Sequence, residues 1–213
     1  MKNNIITCLT NEILKQAKNY LEKDGVIVLP TDTNYNLICG AHSEKGIARI
    51  FNIKGRSEQN PLSLFFSNPT DWEQYGFSRN MSAVSKIIKH FWPGPLNIVL
   101  YKTKEVPAYL SPQNTTIALG CISNPIWQKV VSYYGCPIVL SSANKSGKAK
   151  NILVTADIAL EHVGKDVDLF FIDSASSVTT TQSSTIIDFT GDTFSILREG
   201  DIKKEDIQSI VDA

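Results

Sequence analysis

Apolar side chains recur at helical spacing early in the chain. Ile13, Leu14, Ala17 and Leu21 share one face between residues 11 and 21, charged residues take the other, and Thr10 stands where an N-cap is needed. The pattern changes at Gly25. Val26-Ile27-Val28-Leu29-Pro30 is a short apolar run rich in β-branched residues, which predicts a strand buried on both faces and stopped by proline. Thr31-Asp32-Thr33-Asn34-Tyr35-Asn36 then reads as a polar, hydroxyl-rich loop at the strand end, where open α/β folds commonly hold ligands. A helix over 43–53 runs into the basic turn Lys54-Gly55-Arg56, and residues 61–66 resume as a strand.

Downstream, an amphipathic helix over 82–91 is ended by Trp92-Pro93-Gly94-Pro95 and followed by a strand over 96–101. Shorter strands are predicted over 117–119, 138–140, 184–188 and 194–198, with helices near 126–134 and 155–162. Strand-to-helix alternation mixed with hairpin-like strand pairs predicts an α/β fold, a twisted open mixed sheet with helices packed on it. No repeat, low-complexity tract or Pro/Ser linker divides the chain, so one domain over 1–213 is expected.

Composition narrows the functional classes. A chain of 213 residues with 42% hydrophobic side chains can fill a real core. Twenty-one Lys+Arg balance 21 Asp+Glu, so no net field draws in nucleic acid or an anionic membrane, and any anion site must be local. Cys8, Cys39, Cys121 and Cys136 are scattered without a CxxC pair and read as free thiols. With neither a signal-peptide pattern nor an apolar run of membrane-spanning length, a reducing cytoplasm is the expected location.

Lys54-Gly55-Arg56 places two cations around a glycine that lets the backbone approach a ligand closely, a fit for an anion; an exposed basic turn completing a helix accounts for the same three residues equally well. Ser141-Ser142-Ala143-Asn144-Lys145-Ser146-Gly147 emerges from an apolar strand with hydroxyls, an amide and a cation, as a phosphate or ribose cradle would; standing alone, it is also an ordinary turn. Ser183-Ser184-Thr185 and Leu197-Arg198-Glu199-Gly200 add polar groups at strand margins. Gly25, Gly40, Gly55 and Gly94 form neither GxGxxG nor GxxxxGK[ST], and His42, His90 and His162 stand far from any nucleophile elbow, so a dinucleotide fold, a P-loop and a hydrolase triad are not indicated.

Taken in order, Pro30-Thr31-Asp32-Thr33…Tyr35, Lys54-Gly55-Arg56…Asn60-Pro61-Leu62, Trp92-Pro93-Gly94-Pro95-Leu96, Ser142-Ala143-Asn144-x-Ser146-Gly147, Ser184-Thr185-Ile186-Ile187-Asp188 and Leu197-Arg198-x-Gly200 resemble the YrdC family over nearly the whole chain. Residues 103–107 and 123–126 also look like its YciO branch. The resemblance implies a twisted sheet around a concave, positively charged cavity and, from the family's threonylcarbamoyl-AMP synthases, use of ATP with Mg²⁺, bicarbonate and L-threonine or another amine. The product would be the donor for N6-threonylcarbamoyladenosine in tRNA. By the same resemblance Lys54 and Arg56 would be catalytic, neutralising the triphosphate and the leaving pyrophosphate. Asn60, Ser142, Asn144 and Arg198 would complete the ATP site, and Thr33, Thr116 and Ser184 would lie toward the amino-acid end. No protein-held metal is expected.

Four departures from the family pattern stand out. Phe65 replaces a common histidine, and Gly120 replaces a common arginine in Leu119-Gly120-Cys121-Ile122. Losing an Arg–carboxylate pair would remove on the order of 1.5–3 kcal/mol. Asn36 replaces a glycine, a change that Asn's tolerance of positive φ would soften, and Asp173-Ser174-Ala175 replaces Asp-Gly-Gly.

Two readings follow. In one the chain is a nucleotidyltransferase that forms a carbamoyl-adenylate from ATP. In the other it is a diverged paralogue without threonine activity that binds tRNA, another RNA or a nucleotide through Lys54, Arg56, Lys145, Lys148, Lys150 and Arg198, or acts in another carbamoyl transfer; a monomer or homodimer is expected in either case.

Overall fold

The computed structural model describes residues 4–56, 62–111, 113–148, 152–173 and 180–213. Thr10 caps the first helix as its position predicts, its hydroxyl accepting from the Ile13 amide, and α1 spans Asn11–Glu22. Helices α2 (Glu44–Lys54), α4 (Met81–Phe91), α5 (Pro125–Tyr134) and α6 (Ala156–Val163) fall where the sequence places them. Short α3 (Trp72–Tyr75) and C-terminal α7 (Lys204–Asp212) are additions to that reading. The strands are β1 (Ile5–Ile6), β2 (Ile27–Pro30), β3 (Tyr35–Gly40), β4 (Ser63–Phe66), β5 (Gly76–Phe77), β6 (Leu96–Lys102), β7 (Thr116–Cys121), β8 (Ile138–Ser142), β9 (Leu169–Phe171), β10 (Thr185–Asp188) and β11 (Ser195–Arg198).

All eleven strands join one mixed sheet in the order β1-β9-β2-β3-β8-β4-β7-β6-β10-β11, with β5 paired to β6. The pairs β1–β9, β9–β2, β4–β7 and β6–β10 are parallel and the rest antiparallel. No helix of the described residues is long and apolar enough to cross a membrane.

Side-chain alternation gives this sheet two unequal faces. One carries Val28, Leu37, Cys39, Leu64, Phe66, Ile98, Leu119 and Ile187 against α2, α4, α6 and α7, whose Ile47, Ile50, Val84, Ile87, Ala159 and Ile207 are buried. The other carries Ile27, Leu29, Ile38, Phe65 and Ile138 against α1 and α5 through Ala17, Leu21, Trp127, Val130 and Val131. That second cover is partial. On β7, β6 and β10 several positions facing the same way, Ala118, Asn97, Val99 and Ile186, are only partly buried. A half-covered sheet leaves a floor on which a ligand can lie.

Candidate functional site

Over that floor lies a cavity of about 490 Å³, within the range of small-molecule sites. Its described lining comes from the 31–36 segment, Arg56, the ends of β4 and β8, Gly94, Asn97, Ile122, residues 152 and 154, Ser183, Ser184, Ile186 and Arg198.

The loop after β2 is built on Thr31. Its hydroxyl donates to Asn34 O (2.7 Å) and accepts from the Asn34 amide (3.1 Å) and from Asn36 Nδ2 (3.1 Å). Asn36 therefore has a role other than the one expected of it. It lies in β3, which the sequence reading assigned in part to loop, its φ is not positive, and its side-chain amide braces the turn by donating to Thr31 Oγ1 and Asn34 O. Asp32 is buried on the cavity wall. Its carboxylate accepts from the Ser123 hydroxyl at 2.7 Å and the Ser123 amide at 3.0 and 3.1 Å, while burial pushes its pKa above the ordinary carboxylate value.

Gly55 ends α2 in the left-handed region, φ 60°, where a side chain would be strained, and both of its neighbours reach the end of β8. Arg56 reaches the cavity and donates to Ser141 Oγ at 3.3 Å. Lys54 turns inward, only 4% exposed, and its ammonium donates to Ser142 O, to Ser142 Oγ at 3.3 Å and to Asn144 O at 2.9 Å. Three acceptors satisfy its three donors. The Ser146 amide returns to Lys54 O at 2.8 Å, so the end of α2 and the 142–146 turn form one unit. Burial, with Arg56 close by, pushes the Lys54 pKa down to about 8.

Arg198 reaches the cavity through an irregularity. On β10, Ile187 pairs with Ile196 but Ile186 pairs with Arg198, so a bulge at Leu197 carries Arg198 to the face of Ile186. Arg198 Nε donates to Ser184 O at 2.9 Å.

Of the nine residues singled out from the sequence, Thr33, Arg56, Ser142, Ser184 and Arg198 line this one cavity. Lys54 and Asn144 stand behind Ser142, outside the lining; the Asn144 side chain donates to Lys145 O and its buried Oδ1 has no partner among the described residues. Thr116 does not line it either. It opens β7 opposite Tyr101, four residues from Gly120 and so about 13 Å along the strand. Asn60 lies outside the described residues, as do Ser174 and Ala175. Of the cations considered for RNA, Arg56 and Arg198 line the cavity, Lys54 is buried, Lys145 donates to Ile53 O and pairs with Asp166 at 3.2 Å, and Lys150 is outside the described residues.

Sequence reasoning did not single out Asn97, a lone amide in the otherwise apolar start of β6, or the role of Ser141 beneath Arg56. The two substitutions at 65 and 120 prove to be in contact. Phe65 and Gly120 are register partners on β4 and β7; a Cβ at Gly120 would overlap Phe65 Cε1 and lie 2.8 Å from both Phe65 Cδ1 and Asn97 Oδ1. The ring occupies the space a side chain at 120 would need.

Known proteins share both sequence and fold with this chain. The Sua5/YciO/YrdC family profile, described as telomere recombination, matches residues 19–200. The threonylcarbamoyl-AMP synthase of Pyrococcus abyssi is 28% identical over 200 residues, 93% of this chain but 57% of the synthase. A putative threonylcarbamoyl-AMP synthase of Methanocaldococcus jannaschii is 30% identical with 94% of each chain covered. The crystal structure of P. abyssi Sua5 complexed with L-threonine superposes with a TM-score of 0.86 at 27% identity, over 97% of this chain and 60% of that one. E. coli YciO superposes at 0.80 and 26% identity, over 96% of this chain and 97% of that one. This chain spans little more than half of the P. abyssi synthase and nearly all of YciO, and it belongs to the Sua5/YciO/YrdC family.

Proposed function

We propose that this protein is an ATP-dependent nucleotidyltransferase that makes a carbamoyl-adenylate from ATP, bicarbonate and an amine. One observation carries the reading: Thr33, Arg56, Ser142, Ser184 and Arg198, distant in sequence, converge on a single cavity of about 490 Å³. Relatives named threonylcarbamoyl-AMP synthase support the reaction class, and in them the product's name carries threonine.

In the proposed reaction the amine nitrogen bonds to the carbon of CO₂ derived from bicarbonate, and water is lost. A carboxylate oxygen of the resulting carbamate then attacks the α-phosphorus of ATP as the bond to the β-phosphate oxygen breaks and pyrophosphate leaves. This chemistry needs positioning and charge stabilisation more than covalent help from the protein. Arg56 and Arg198 supply fixed positive charge and planar donors suited to phosphate oxygens. Lys54 adds charge just behind the wall and holds Ser142 in place. Asp32 is the one carboxylate of the described lining, too few for a protein-built Mg²⁺ cage, so Mg²⁺ enters as part of the MgATP substrate.

Pyrophosphate release tests the reading. It should require ATP, bicarbonate and an amine together; release that is indifferent to bicarbonate, or none with any amine, contradicts it.

A further inference from the structure

The cavity floor contains a cross-strand row. Phe65 pairs with Gly120, Gly120 with Asn97, Asn97 with Ile186 and Ile186 with Arg198, so the five residues share one face over adjacent strands β4, β7, β6, β10 and β11. Four strand spacings make the row about 19 Å long. Its charge is at one end. Arg198 closes that end, and the other lining cation, Arg56, is bonded to Ser141 on β8. Ser141 lies three residues from Ile138, the partner of Phe65, and hence about 10 Å along the strand from that partner.

The Phe65 end differs in chemistry. Phe65 is 3% exposed, braced edge-on by Trp127 at 6.0 Å, and packed in one cluster with Ile122. Because residue 120 is glycine, the ring spreads over β7 toward Asn97 Oδ1. Asp32 stands beside Ile122 through its bonds to Ser123, with the Asn124 amide also nearby, and its buried carboxylate lines the cavity, where a ligand donor would offset the cost of its burial. The Asn97 side chain lines the cavity with no hydrogen-bond partner among the described residues. From Phe65 to the middle of the row the floor therefore offers an anionic acceptor, a neutral amide and an aromatic wall, while the lining arginines are held elsewhere, Arg198 on Ser184 O and Arg56 on Ser141.

We propose that the second substrate is a primary amine that carries no carboxylate, its nitrogen directed to Asp32 and Asn97 and its apolar or aromatic body laid against Phe65 and Ile122. A carboxylate in this place would face Asp32 and an aromatic ring without a counter-charge, which desolvation and like-charge repulsion both oppose. The inference rests on the nucleotidyltransferase reading for the role of the amine, but the affinity of this end for amines is measurable by itself.

Calorimetry with two matched pairs tests it: phenethylamine against L-phenylalanine and 1-amino-2-propanol against L-threonine, each pair differing only in the carboxylate. Titrations are run on the whole chain, alone and saturated with α,β-methylene-ATP and Mg²⁺. Each amine should bind at least tenfold tighter than its amino acid, and Asn97→Ala, which removes no bond within the described fold, should weaken the amines about tenfold. Asp32→Asn should do the same, with circular dichroism checking that the Ser123 loop survives. Equal or tighter binding of either amino acid, or binding of neither member of both pairs, overturns the proposal. If the nucleotide analogue fails to bind while the amine preference holds, the reaction assignment falls and this inference stands.

Discussion

The Lys54 ammonium donates to both the carbonyl and the hydroxyl of Ser142. A lysine whose sequence context marks it as a phosphate ligand thus acts first as a fastener for the wall residue in front of it. Replacing it by methionine keeps an unbranched apolar stem out to the ε position and removes all three donors. Asn144 O would lose its donor, whereas Ser142 O would keep the Asn144 amide at 2.8 Å. One buried acceptor left unpaired costs about 1–3 kcal/mol, so Lys54→Met should lower the urea midpoint by a corresponding amount and weaken ATP binding at least tenfold. Unchanged stability together with lost binding would assign Lys54 to direct phosphate contact instead.

The same lysine sets a pH dependence. Burial and Arg56 place its pKa at about 8, below that of an exposed lysine. An anionic ligand nearby favours the charged form and raises this pKa in the complex, so linkage makes ATP affinity greatest below pH 8 and makes it decline as pH rises through 8. For stability of the empty protein the sign is reversed. The unfolded chain binds the proton more tightly, so the Lys54 penalty is fully present below pH 8 and is relieved as pH rises from 8 toward the unfolded value. Titrations of ATP between pH 6.5 and 9.5 should show the affinity step in the wild type and not in Lys54→Met.

Phe65 and Gly120 should be energetically coupled. Gly120→Ala puts a methyl into the ring's position, and overpacking of this kind costs typically about 1–3 kcal/mol. In a Phe65→Ala background the obstruction is gone, so the alanine at 120 should cost little. A double-mutant cycle by chemical denaturation measures this as a coupling of about 1 kcal/mol or more; additive effects would show that the ring moves aside freely.

Much of this architecture is readable from residue pattern, for identifiable reasons. Thr10 and Ser43 are good N-caps ahead of periodic apolar faces, so α1 and α2 begin where expected. The strand β3 escapes because Asn36, Cys39 and Gly40 interrupt its apolar run, although all six of its residues are buried. The two-residue strands β1 and β5 and the three-residue β9 are too short to show a period and exist through their partners. Cavity membership is legible where it follows from local chemistry at a strand end, as for Thr33, Ser142 and Ser184. It is not legible where pairing decides it. Arg198 faces the cavity because of a bulge, Lys54 is drawn behind the lining by its bonds to Ser142 and Asn144, and Asn97 is placed by which half of the sheet lacks a helical cover.

Whether Arg56 and Arg198 jointly hold a nucleotide is the question on which the account turns, and calorimetric titration of MgATP into the wild type, Arg56→Ala and Arg198→Ala answers it. Each arginine lost from a phosphate should remove about 1.5–3 kcal/mol, roughly ten- to a hundredfold in Kd. The account predicts saturable one-to-one binding weakened by that factor in each variant; absence of binding in the wild type, or affinity unchanged in both variants, would contradict it.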